Sequence, residues 1–449
     1  MAGLSTAYHL QHRLVAGMKS PPEYRLFERE SAVGGLCRSV SQDGFTFDYT
    51  GHILHFRQDY TKKLIRRLLN KNYQVHQRKS WIYSHNVYTL YPFQANTYGL
   101  PPTVVKECVL GFLKAKCRGD RKKLTDISTP RRKSFYDWII ATFGEGIARH
   151  FMVPYNEKLW TVHPRFLTCD WMQSFVPQPS VQEVITGAFS DQKKSFGYNA
   201  MFLYPKRGGI QVLADAFLAD INKPALDSKV TKIDAGNRAV QINNNCWYGF
   251  ETLVSTLPLK ELVSLIDKVP PAVKEAAGRL RCSSVLNVNL GIDRASISDK
   301  HWIYFPEKKF IFYRAGFLNN FSSFLVPPGT SSIYTEVAYN PTATGKMPHV
   351  VYKMPQDKNK IIVRVKNDLV KAGILKNKDK ILTTNVLDIK YAYVIYDKNR
   401  EKSLEIINRF LQQNNIHSIG RYGGWQYLTM EEAILAGKQT AETLIGSRH

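Results

Sequence analysis

The reading of the fold starts from AGLSTAYHLQHRLVA (residues 2–16), YRLFERE (24–30) and ESAVGGLCRSV (30–40). The first string places small and apolar side chains at helical spacing and the second is a short β run ending in an acid, so a helix leads into a strand. That order is half of a Rossmann unit. In the dinucleotide fingerprint the third glycine lies in the first helix turn, and an acid at the end of the second strand takes the ribose hydroxyls. Gly3 and Glu28 fit those two roles, although a helix with a small residue near its start, followed by a surface acid, reads the same way. Gly34 and Gly35, with Arg38 three residues on, let backbone pass close to a diphosphate while a cation approaches it.

Working outward, the late segment RYGGWQYLTMEEAILAGKQTAETL (421–444) adds a glycine-rich turn and a helix from Glu431 whose N-terminus suits the flavin end of such a site. Four further blocks complete the pattern: TGHILH (50–55), YPFQANTYGLP (91–101), FMVPYNEKLWTV (151–162) and WIYFPEKKFIFYRAGFLNNFSS (302–323). In this order the blocks resemble the flavoprotein superfamily of amine oxidases, protoporphyrinogen oxidase and UDP-galactopyranose mutase, and most of all the mutase.

The resemblance implies an α/β protein with bound FAD: a Rossmann-type FAD-binding domain and an inserted helical and antiparallel-sheet substrate domain. The FAD-binding domain is expected to be discontinuous, over 1–60, 200–260 and 388–449. YPKRGGIQVLADAFLADI (204–221) returns the chain to it, and β runs near 229–234, 239–242 and 252–256 complete it. Residues 61–199 are expected to be a helical substrate region. Residues 261–387 are expected to form a sheet over the flavin, with alternating patterns such as SVLNVNLGI (284–292) and SSIYTEVAY (331–339), and 340–360 a surface loop.

Members of the mutase family interconvert the pyranose and furanose rings of a nucleotide-linked galactose through reduced flavin N5, without net redox change. Carried over by motif, Arg314 holds the diphosphate, Tyr304, Tyr427 and Tyr393 donate hydroxyls to it, and His52 lies beside the isoalloxazine. Tyr91 and Gln94 fall in the uracil block, with Asn156 and Trp160 lining the same cavity. Gly3, Glu28, Gly34, Gly35, Arg38, Val230, Gly423 and Trp425 are the implied cofactor contacts, and His52 and Arg314 the implied catalytic pair. A nucleotide sugar or another small molecule is the expected substrate, with NAD(P)H or another reductant as electron source.

Two departures stand out. Where the mutase carries an arginine after the PYNxKxW helix, this chain has Phe175, so one phosphate contact of the family is missing. A full fingerprint also has a strand and GxG ahead of the first helix; here only its last glycine is present, so the domain is expected to lack that strand and loop. An FAD-dependent oxidoreductase acting on an amine, carotenoid or porphyrin-like compound, and a flavin-binding protein without turnover, therefore stand beside the mutase reading.

Composition narrows the classes. The 449 residues carry a formal net charge of +25, with 44% apolar and 22% charged residues, which describes a globular protein with a sizeable core. The excess of cations attracts anions. The clusters Arg118–Lys123 and Arg131–Lys133 are not interleaved with aromatics, so no nucleic-acid partner is expected. The six cysteines form no CxxC pair and no ligand spacing, so neither zinc nor a disulfide framework is indicated. No apolar run approaches the ~20 residues needed to cross a bilayer, and no leader pattern is seen, so a cytoplasmic protein is expected.

Overall fold

The computed structural model describes residues 1–12, 22–117, 134–172, 175–192, 196–197, 199–341 and 357–446. Parts of two expected elements, residues 13–16 of the first helix and 342–356 of the loop, lie outside these, as do both basic clusters. The first helix, α1, runs over Ala2–His12 and buries Leu4, Tyr8 and Leu10. YRLFERE makes only a bridge, Phe27 to Ala225, with Glu28 N–H donating to Ala225 O at 2.9 Å and Ala225 N–H to Leu26 O at 2.8 Å. The expected strand is thus reduced to a single bridge, paired along one edge among the described residues.

Four small sheets accompany this helix. β1 (Ser39–Gln42) pairs with β2 (Phe45–Asp48), and β3 (Tyr73–Gln77) with β6 (Met201–Pro205). β7 (Val230–Asp234), β8 (Ala239–Ile242) and β9 (Cys246–Gly249) form a meander. Asn243 and Asn244, both at positive φ, close the tight β8–β9 turn, a conformation that asparagine tolerates better than most side chains. β10 (Leu253–Ser255) runs parallel to β16 (Ile416–Ser418), with no other strand beside it among the described residues. The helix Met430–Gly446 packs along α1.

The substrate side is a seven-stranded sheet in the order β15 (Ile381–Val394), β11 (Cys282–Ile292), β14 (Ser331–Tyr339), β13 (Arg314–Gly316), β12 (Trp302–Tyr304), β4 (Ser80–Ser84), β5 (Val87–Leu90). Every residue of β11 and β14 is buried, so both faces of the sheet centre are covered. Residues 61–199 are therefore not helical throughout. SWIYS and VYTL alternate aromatic and β-branched residues around His85 and Asn86, both at positive φ, and this hairpin enters the sheet through a parallel β12–β4 pair. The boundary drawn at 387/388 falls inside β15.

The helices of this region are α2 (Asp59–Leu69), α3 (Pro102–Cys117), α4 (Phe135–Ile147), α5 (Val153–Trp160) and α6 (Val181–Phe189). Gly144 kinks α4 at φ 76° because its Cα is pressed on α3: a Cβ there would lie 2.1 Å from Gly111 O. A π turn over Ala148–Met152 then leads into α5, which carries PYNEKLW against β11 and β14. Among the described residues no helix is long and apolar enough to cross a membrane, and no group of three or more His, Cys, Asp or Glu is placed to hold a metal ion. All six cysteines are free thiols.

Candidate functional site

At the cofactor end, Gly34 and Gly35 adopt φ of 113° and 61°, conformations that glycine takes without strain. A Cβ on Gly34 would lie 2.6 Å from Cys37 O, whereas the space beside Gly35 is open to at least 4 Å. Arg38 follows, its Nη1 3.5 Å from Glu30 Oε2 and its buried Nε without a partner. Glu28 lies within electrostatic reach of Met1 at the start of α1, and its carboxylate accepts from Glu30 N–H at 3.0 Å. Val230 opens β7 two residues beyond Ser228, whose N–H donates to Glu28 O at 2.8 Å. An open face beside a two-glycine turn, an orphaned guanidinium nitrogen and an acid at a helix start fit FAD. Gly34, Gly35 and Arg38 would hold its diphosphate and Glu28 its ribose.

Three cofactor-end expectations change in detail. The fingerprint assigns close helix packing to its third glycine, but Gly3 does not carry it: a Cβ there meets Thr256 Cγ2 at 3.5 Å, an ordinary contact. The glycine that does is Gly437, where a Cβ would lie 2.4 Å from Ala2 O and 2.7 Å from Ser5 Cβ. Trp425 is wholly buried in the core, its carbonyl taken by Arg400 at 2.9 and 2.6 Å, although its Nε1 lacks a partner; Gly423 packs against Ser418 and Ser255. Glu431 ties down the entry to α2, accepting from Arg57 and Gln58 N–H at 2.9 Å and from Thr61 Oγ1 at 2.5 Å.

The substrate end is built on the β13–β14 register, which sets Arg314 opposite Glu336 and Gly316 opposite Tyr334. Arg314 donates to the fully buried Glu336 from Nε at 3.0 Å and from Nη2 at 2.6 and 2.8 Å. Glu336 Oε1 also lies 3.4 Å from Gly51 N, which ties the His52 loop to the same carboxylate. The Tyr334 ring fills the space that a side chain at Gly51 or Gly316 would need. Burial, and then the charges of Arg314 and Arg421, push the His52 imidazole down to about 4, so it is neutral at physiological pH; its Nδ1 has no partner.

Arg421 is the main residue that the motif reading missed. It donates to Leu428 O at 2.8 Å and Ala392 O at 3.1 Å, and its guanidinium lies 4.7 Å from the Tyr427 ring and 5.3 Å from that of Tyr393. It makes no ion pair among the described residues. The half-buried phenols gather around these cations. Tyr393 stacks on Tyr427 at 5.9 Å, and Tyr304 meets Tyr91 and Tyr155, each at 5.4 Å. Burial raises Tyr91, Tyr155, Tyr393 and Tyr427 above the ordinary phenol range, so all four stay protonated donors.

His52, Arg314, Tyr304, Tyr393, Tyr427 and Tyr91 are thus brought together. Asn156 and Trp160 stand otherwise than expected: Asn156 Nδ2 donates to Met152 O at 2.7 Å and its Oδ1 accepts from Trp160 Nε1 at 3.1 Å, so both polar ends are spent within α5 and the π turn before it. Asn156 orients the indole, whose edge faces Tyr393 at 5.7 Å. Gln94 is buried, donates to Pro177 O at 2.8 Å and keeps Oε1 unpartnered. Phe175 and Tyr427 meet in a T-shaped contact at 5.1 Å, so the departure from the mutase pattern lies on this same ring cluster. Glu336 was legible only as an acid inside the apolar run SSIYTEVAY.

Against known proteins, the family described as flavin containing amine oxidoreductase matches residues 1–445. A crystal structure of reduced UDP-galactopyranose mutase superposes with a TM-score of 0.87 at 24% identity, covering 99% of this chain and 94% of that one. A putative protoporphyrinogen oxidase from Exiguobacterium sp. 255-15 gives 0.67 at 12% identity, covering 99% and 97%. A putrescine oxidase double mutant gives 0.65 at 14%, with the same coverage.

Proposed function

This chain belongs to the flavin containing amine oxidoreductase family and depends on FAD, and from that premise we propose that it acts as a mutase-like flavoenzyme on a nucleotide sugar, interconverting its pyranose and furanose rings. One observation carries the reading: two guanidiniums, Arg314 and Arg421, act on a neutral His52, and among the described residues only Arg314 has a carboxylate partner, Glu336. The cluster keeps a net positive charge. A substrate ammonium would be repelled there, whereas a diphosphate gains charge-assisted bonds from two arginines and neutral ones from protonated phenols. The fold-level likeness to the mutase points the same way.

When bound, FAD supplies an electron-rich centre for attack on the sugar without net oxidation. The chain's own residues clamp and orient. Arg314 spends Nε and Nη2 on Glu336, which leaves Nη1 outside the ion pair, and Arg421 is anchored by carbonyls rather than by a carboxylate. Tyr304, Tyr393 and Tyr427 donate hydroxyls to phosphate oxygens. Tyr91 supplies a flat surface for a base, and Gln94 Oε1 an acceptor. His52, neutral, accepts or donates one hydrogen bond beside the flavin without adding charge.

Phe175 favours a second reading, an FAD-dependent oxidoreductase of a less charged substrate, because it makes the Tyr427 end of the cavity apolar. Equilibrium binding to the FAD-loaded protein separates the two. UDP should bind, and Arg314→Ala should weaken it by ~1.5–3 kcal/mol, the range for a hydrogen bond to a charged group, with the flavin spectrum unchanged. Absence of UDP binding, together with flavin reduction by an added amine, would replace the mutase reading with the oxidoreductase one.

A further inference from the structure

Lys158 lies on α5 in the middle of PYNEKLW and is 2% exposed, a burial that lysine rarely accepts without a partner. Among the described residues it has no ion pair. Its ammonium instead donates to three main-chain carbonyls: Phe305 O at 2.8 Å, Glu307 O at 3.2 Å and Phe312 O at 2.5 Å. Burial pushes the amine well below its ordinary range, opposed by the charges of Asp368 and Glu307. An apolar side chain of the same length would fill the space at no desolvation cost, so packing alone does not account for an ammonium here.

The three carbonyls belong to one connection, residues 305–313, that joins β12 to β13. Two lie on its outgoing limb and one on its return, so Lys158 draws the limbs together where Phe305 N–H closes the base on Tyr313 O at 2.8 Å. The residues flanking that base are Tyr304 and Arg314, directly opposite one another in the ladder. The same helix presents Tyr155 to Tyr304 and Trp160 to Tyr393. We propose that Lys158 is a positioning residue: its tether from α5 to the 305–313 connection sets Tyr304 and Arg314 at their working distance from the aromatic wall carried by α5. Asp368, which accepts from Ile311 N–H at 2.7 Å, and Glu307, which accepts from His85 N–H at 3.0 Å, hold the far end of the connection; at the site end the ladder bonds, Tyr313 N–H to Glu336 O at 3.0 Å among them, hold strand to strand, and Lys158 adds the tie to α5.

The choice of UDP as probe rests on the functional reading above; the tether does not. In FAD-loaded Lys158→Met, amide exchange over 305–313 should accelerate roughly tenfold or more while β11 and β15 keep wild-type protection, and UDP should weaken roughly tenfold with an unaltered flavin spectrum. Lys158→Gln, which keeps a shorter donor, should fall between the two and serves if the methionine variant does not fold. Leu411→Ala, a remote core truncation, supplies the comparison: it should lower the melting temperature while leaving exchange in 305–313 and UDP affinity unmoved. Unchanged exchange in the connection, or a loss of UDP affinity no greater than that of Leu411→Ala at equal loss of melting temperature, would overturn the proposal. If wild type fails to bind UDP, the functional reading falls and the exchange result alone decides Lys158.

Discussion

Glu336→Gln should move two measurements in opposite directions. The carboxylate is fully buried and grips Arg314 with bonds of 2.6 to 3.0 Å, while the arginine side chain is 18% exposed. Removing one partner of a buried pair costs ~3–5 kcal/mol, and because glutamine keeps the shape and one acceptor, the lower end, about 3 kcal/mol, is expected for folding stability. For binding, a carboxylate about 6 Å from a phosphate opposes it by roughly 3 kcal/mol at an effective dielectric constant of about 20, before screening. Half of that surviving in a wet cavity gives tighter UDP binding by about tenfold. Thermal unfolding and calorimetric titration of the FAD-loaded variant read both quantities. UDP affinity that falls along with stability would refute the reasoning: Glu336 would then serve to present the guanidinium, and charge counting would not describe the cavity.

Burial pushes Asp48 up to about 6 despite bonds from Ser39, Tyr204 and Ile210, so the folded state holds a proton that the unfolded chain has released. Stability should therefore fall by up to about 3 kcal/mol as pH rises from about 4 to 6. Asp48→Asn should remove that fall from the melting curves, and an unchanged wild-type-minus-variant difference across this window would count against it; His52 and His301, both depressed to about 4, act with the opposite sign and cancel in the difference. Gly437→Ala should cost ~1–3 kcal/mol and lower the flavin-to-protein absorbance ratio, since its Cβ would intrude on Ala2, while Gly3→Ala should leave stability within ~0.5 kcal/mol; equal melting temperatures for the two would contradict the packing argument. Phe175→Arg should tighten UDP binding by restoring a cation beside Tyr427, and no change in affinity would make the departure silent.

The fold was legible because the blocks that build the site are contiguous strings: the two-glycine turn, TGHILH and PYNEKLW each sit on one local stretch, and YFPEKKFIFYR runs from the end of β12 to the start of β13, so their residue types and spacing survive in the sequence. What escaped depends on register or on packing between distant segments. Glu336 meets Arg314 only because β13 and β14 pair as they do, and Arg421 becomes a second cation only when the 420–423 turn folds against Tyr393. Gly3 and Gly437 show the same limit: the motif marks the first, but the contact that excludes a side chain is made by the second, on a helix more than four hundred residues away. In α5 the i, i+4 spacing of Asn156 and Trp160 allowed either a ligand pair or a bond within the helix, and the structure has the latter. The hairpin of β4 and β5 was hidden by its short strands, which alternate over only four or five residues.

The most direct test is turnover of UDP-galactose by the FAD-loaded protein, followed by chromatography of the sugar nucleotides and by the flavin spectrum, with the flavin chemically reduced in one sample and oxidised in the other. Pyranose–furanose interconversion by the reduced sample alone, with the flavin still reduced at the end, is the expected result. No ring interconversion in either sample, with the oxidised flavin bleached by an added amine under anaerobic conditions, would contradict it.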